Sequence, residues 1–126
     1  MLAHPVHDLG QVEKAMKDTG DHIVLEWKYD GVRCQAHHNG TSTKLFSRHM
    51  LESTLQYPDA VKAIMKAKTD KVTSFIIDSE IVGVEMDGDQ AHLLPFQELS
   101  KRKRKNDDGS GVRIKIFVFD LSLIHI

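Results

Sequence analysis

The sequence predicts an α+β domain, antiparallel sheets with flanking helices. Two turn signals, Asn39-Gly40 and Asp87-Gly88-Asp89, each separate a pair of extended runs. Apolar residues at helical spacing are confined to short segments between the hairpins. A chain of 126 residues has room for one core and not two, so one domain, or part of one, is expected.

Residues 8–19, DLGQVEKAMKDT, place Val12, Ala15 and Met16 at helical spacing behind an Asp8 cap, and Gly20 supplies the stop. From His22 to Tyr29 the chain is rich in Ile, Val, Leu, Trp and Tyr until Asp30-Gly31 breaks it, which predicts a buried strand. A second strand covers Val32 to His38. Asn39-Gly40, tolerant of positive φ at both positions, then turns the chain back, so 32–48 form a hairpin. Pro58 to Lys68 is a helix opened by proline, with Val61, Ile64 and Met65 on one face. FIIDSEIVGVEM and QAHLLPF make another hairpin about Asp87-Gly88-Asp89. KRKRKNDDGSG reads as the end of a helix running into a loop, and VRIKIFVFDL as the closing strand.

Hydrophobic content of 40% with 28% charged residues is ordinary for a soluble protein, and a formal charge of -1 says nothing about partners. The single Cys34 rules out an internal disulfide framework and fits a reducing compartment; beside Arg33 it reads as packed, not reactive. No apolar run reaches membrane-spanning length and no secretory signal is present, so a soluble, intracellular protein is expected. His37 and His38 alternate between strand faces and complete no zinc spacing.

Chemistry concentrates in EWKYDGVR, residues 26–33. Strand alternation puts Glu26 and Lys28 on one face, toward a ligand, and Leu25, Trp27 and Tyr29 on the other, toward the core. Asp78 and Glu80 likewise share a face, and Phe117 and Phe119 share a face of the last strand, where they supply an aromatic wall. A lysine set among carboxylates in this way is a candidate nucleophile.

The run KYDGVR has the KxDGxR pattern of the covalent nucleotidyltransferases and resembles ATP-dependent DNA ligases, particularly the eukaryotic DNA ligase I type. MLAHP at the start, FSR at 46–48, YPD at 57–59, VTSFIIDSEIV at 72–82, LPFQELSKRKRK at 94–105 and FVFDL at 117–121 occur in matching order. The resemblance therefore covers nearly the whole chain. It implies that residues 1–121 are the N-terminal half of the adenylation (nucleotidyltransferase) domain of the ATP-grasp-like DNA ligase fold. Residues 122–126, SLIHI, depart from the pattern and are expected to be a non-native tail.

By the same resemblance Lys28 attacks the α-phosphate of ATP and holds AMP through a phosphoramide bond. Amine attack needs a neutral lysine, scarce at an ordinary pKa of about 10.4. Such a site must therefore supply desolvation, a neighbouring cation or a metal. The resemblance assigns Glu26 to adenine recognition, Arg33 to the bound nucleotide, Glu80 to the ribose and to Mg2+, and Phe119 to stacking on adenine. Gly31 fits a turn where backbone comes close to phosphate, and Asp30 shapes that turn. Mg2+ is implied because a divalent ion can neutralise the triphosphate leaving group.

Arg48 matches a position that contacts nicked double-stranded DNA, and Lys101, Arg102, Lys103 and Arg104 form a basic run with a DNA-facing role. The resemblance further implies a monomer acting in DNA replication, repair and recombination, in the nucleus or in a mitochondrial form, with a sliding clamp as a partner through other regions. A piece lacking half the pocket is expected to be inactive alone. RNA ligases and mRNA capping nucleotidyltransferases share the KxDG core and are the alternative enzymes; a noncatalytic DNA-binding fragment is the alternative of another class.

Overall fold

A computed structural model describes residues 6–20, 24, 26–100, 102 and 112–125. Helix α1, Leu9–Asp18, forms as predicted: Asp8 caps it by accepting from the Gln11 amide at 2.9 Å, and Gly20 leaves it at φ 77°. None of its residues is buried.

Strand β1, Val32–His38, pairs antiparallel with β2, Thr43–Ser47, and the register His38 to Thr43 leaves a four-residue loop. The hairpin is therefore real but its turn is longer than the dipeptide alone. Asn39 explains the difference: its side-chain oxygen accepts from the amides of Thr41 and Ser42 at 3.1 and 2.9 Å, while Gly40 takes φ 94°.

A short 3-10 turn, Thr54–Gln56, leads into α2, Pro58–Ala67, which buries Ala60 and Ile64 against the sheet. Strand β3, Ser74–Asp87, turns at Gly88 into β4, Gln90–Leu93, as predicted. Helix α3 spans Phe96–Ser100, and β5 spans Arg113–His125. The closing strand is thus longer than the predicted one, because β5 stays paired with β3 as far as Ser74 opposite His125.

All five strands share one antiparallel sheet in which β3 is central. On one side it pairs with β1 and, further along, with β4; on the other it pairs with β5. One face packs against α2 around Cys34, Ala36, Leu45, Tyr57, Ala60, Ile64, Phe75, Ile81 and Leu99, and this apolar burial is the main stabilising term. Arg33, Gln35, Asp78 and Glu80, at alternate positions in register, emerge on the other face.

The run from His22 to Tyr29 departs from expectation. Among its described residues no strand forms, and Val24 and Trp27 are 85% and 86% exposed; Leu25 lies outside the described residues. Aromatic and β-branched content favours a strand only where it pairs with another strand, and among the described residues no strand pairs with this run. No helix among the described residues is long and apolar enough to cross a membrane.

Candidate active site

The open face of the sheet forms the floor of a cleft of about 1130 Å³. Glu26, Lys28, Gly31, Arg33, Arg48, Glu80 and Phe119, seven residues separated by up to 93 positions in sequence (Phe119 against Glu26, 119 − 26), all line it. The predicted alternation in 26–29 does not hold. Glu26, Trp27, Lys28 and Tyr29 all line the cleft, because the segment is not pleated into a sheet. Lys28 and Glu26 are exposed.

Glu80 is half-buried on β3, opposite Arg33. Burial raises its pKa above the ordinary glutamate value, while a hydrogen bond with the Gly31 backbone and the charges of Lys28 and Arg33 pull the other way. Arg33 is the register partner of Glu80 on β1, and Lys28 and Gly31 line the same cleft. Glu80 is a hard oxygen donor, and Mg2+ is commonly held by one or two carboxylates together with substrate phosphates, so this residue fits that ion. No cluster of three or more His, Cys, Asp or Glu ligands occurs among the described residues.

Gly31 is required by a close approach, but the near neighbour is protein. A Cβ at this position would lie 2.2 Å from the Ile81 carbonyl oxygen of β3. Asp30 does not line the cleft; its carboxylate accepts from the Phe96 amide at 3.0 Å and so ties the lysine segment to the start of α3.

Arg33 is held by Asp78. Its Nε and Nη2 donate to the two carboxylate oxygens at 3.0 and 2.5 Å. That fork holds the buried Asp78 carboxyl below the usual carboxylate range and raises the Arg33 pKa further.

The two phenylalanines of β5 are separated. Ser79 pairs with Val118 and Asp78 with Asp120, so Phe119 is the extra residue of a β-bulge and reaches the cleft, 49% exposed. Phe117 instead stacks on Tyr29, ring centroids 3.8 Å apart. A strand bulge is invisible to period-2 counting, so the shared aromatic wall is corrected to one ring that lines the cleft and one stacked on the cleft residue Tyr29.

Arg48 lines the cleft at the end of β2, where Met50, at φ 58°, closes a turn that returns its amide to the Ser47 carbonyl at 2.9 Å. Arg102 does not face solvent. Its side chain is 3% exposed and forms a fork with Asp59 at 3.0 and 2.9 Å, over the Tyr57 ring. The DNA-contact assignment of Arg102 is therefore corrected to an anchor between α2 and the end of α3: a buried guanidinium held in a carboxylate fork is not offered to phosphate. Lys101, Lys103 and Arg104 lie outside the described residues.

Sequence reasoning missed Trp27, Tyr29, Ser47, His49 and Phe96 as cleft residues. For Ser47 and His49 adjacency to Arg48 was the available signal; Phe96 had none, because only the Asp30 contact brings it there.

The family model described as the ATP dependent DNA ligase domain matches residues 1–125. DNA ligase 1 of Drosophila melanogaster is 39% identical over 127 aligned residues, covering 100% of this chain and 16% of that protein. A DNA ligase of Sulfophobococcus zilligii is 39% identical, over 96% of this chain and 19% of its own length. The chain thus spans less than a fifth of either relative. Among solved structures, the ligase domain of M. tuberculosis LigD superposes with a TM-score of 0.58 at 20% identity, covering 79% of this chain and 29% of that one. A mycobacterial DNA ligase D complexed with ATP and MES gives the same score at 21% identity. At that identity the likeness establishes the α+β fold, an antiparallel sheet with few helices.

Proposed function

The chain belongs to the ATP-dependent DNA ligase family, and from that premise we propose that it supplies the nucleophile-bearing part of an enzyme that seals nicks in double-stranded DNA through a lysyl-AMP intermediate. The observation that carries this reading is the single cleft gathering Lys28, Glu26, Arg33, Arg48, Glu80 and Phe119.

The neutral Lys28 amine attacks the α-phosphorus of ATP. A P–N bond forms, the bond to pyrophosphate breaks, and the lysine gives up a proton. Arg33 and Arg48 provide positive charge at the cleft where the phosphates gain negative charge. Glu26 is proposed to hydrogen-bond adenine and Phe119, 49% exposed in the cleft, to stack on it. Glu80 is proposed to hold the ribose and a Mg2+ ion. That ion, when bound, would offset charge on the leaving pyrophosphate. AMP then passes to the 5′-phosphate of a nick, and the 3′-hydroxyl displaces it.

Roles in replication, repair and recombination, and a nuclear place of action, are proposed on the resemblance to the eukaryotic ligase I type.

Incubation of the full-length protein with α-labelled ATP and Mg2+ tests the reading. A label that survives denaturation and is absent from Lys28→Ala is expected; a label persisting in that variant would refute it.

A further inference from the structure

Beside the cleft lies one acidic residue with no part in the reaction as derived. Asp78 is 3% exposed, lies one pleat along β3 from Glu80, and spends both carboxylate oxygens on Arg33. A buried carboxylate beside a binding cleft costs desolvation, and a purely structural ion pair can often be replaced by apolar residues without loss of stability. Its retention here coincides with a specific geometric result. The fork engages Nε and Nη2 of Arg33 and takes no hydrogen bond from Nη1, on a side chain that remains 47% exposed.

A second pocket of about 100 Å³ adjoins this pair, lined by Arg33, Gln35, Ser47, Arg48, Met50 and Asp78. Two guanidinium groups thus border one small polar space. Left alone, they would repel, and the long Arg33 side chain would swing toward solvent. Asp78 opposes both tendencies, since a bidentate carboxylate fixes the plane of a guanidinium as well as its position.

Resting on the ligase reading above, we infer that Asp78 is a positioning residue: by its two-point grip it aims the remaining edge of Arg33 at the phosphate transferred from ATP to Lys28. Gln35 supports the carboxylate, with its amide nitrogen 3.5 Å from Oδ2 and its oxygen 2.9 Å from His37 Nε2. A residue that acts only through Arg33 has no effect once Arg33 is gone.

The test is a double-mutant cycle in the full-length protein, reading the rate of Lys28 labelling at saturating ATP and the melting temperature of each variant. Asp78→Asn keeps the shape and removes the charge. It is expected to slow labelling about tenfold, as loss of a charged hydrogen bond made in the transition state would, with KM for ATP little changed. In Arg33→Ala the further change Asp78→Asn is expected to leave the labelling rate where Arg33→Ala put it. Arg33→Lys, which keeps the charge but cannot fork, should match Asp78→Asn, and it serves if that variant does not fold. Multiplicative losses in the double variant, or full-speed labelling by Asp78→Asn, would overturn the inference. Loss of the ligase reading itself shows differently, as labelling that does not depend on Lys28.

Discussion

Gly31 sits against Ile81 so closely that a Cβ on the glycine would fall 2.2 Å from the Ile81 carbonyl oxygen. The contact is backbone to backbone between the lysine segment and the central strand, so nothing flexible can yield. Gly31 is therefore a spacer that sets the height of Lys28 above the sheet, and its φ is not in the left-handed region.

Gly31→Ala is accordingly expected to destabilise the fold by about 3 kcal/mol, at the upper end of overpacking effects, because β1 must move away from β3. Urea denaturation read by far-ultraviolet circular dichroism would register this as a lower midpoint with unchanged slope.

Glu80 carries a pKa raised mainly by burial, so its charged form costs stability. The sign follows: the cost is present above the raised folded-state pKa, shrinks as pH falls through it, and vanishes below the unfolded value. Glu80→Gln should thus raise the melting temperature at neutral pH, and the difference should close on acidification. The same variant should lose most of its adenylation, a stability gain bought with function. Equal melting curves at pH 7 would contradict the assignment.

Arg102 and Asp59 hold each other by two hydrogen bonds, so loss of either is expected to lower stability. Asp59→Ala removes the carboxylate fork from a guanidinium whose side chain is 3% exposed and is expected to cost about 2 kcal/mol, the scale of hydrogen bonds to charged groups. Removing Arg102 should lower thermal stability also, yet leave the salt slope of DNA binding unchanged, since a buried anchor releases no counterion. A slope reduced by about one unit in a folded Arg102 variant would restore the phosphate-contact role.

Cys34 is 2% exposed, and burial pushes its thiol up to about 12. At pH 8 roughly one molecule in ten thousand would carry the thiolate. Maleimide should therefore leave the native protein unlabelled and modify one site after denaturation, as followed by mass spectrometry.

Both hairpins and the helices 9–18 and 58–67 were legible in the sequence because their signals are local: a cap, a proline, a glycine at positive φ, a spacing of apolar residues. The strand expected at His22–Tyr29 was not, since β-rich composition becomes a strand only when another strand offers an edge. Arg102 was misread for a related reason. A basic run looks solvated until the fold brings Asp59, 43 residues away, beside one member of it.

The sequence by itself determined the antiparallel α+β architecture, the KxDGxR segment and the order of its companion blocks. Those depend on residue identity and near neighbours. Tertiary structure alone decided that Asp78 grips Arg33, that Asp30 caps α3, and that a bulge turns Phe119 but not Phe117 into the cleft. Register and burial arise between strands distant in the chain, and no local periodicity encodes which charge will meet which partner.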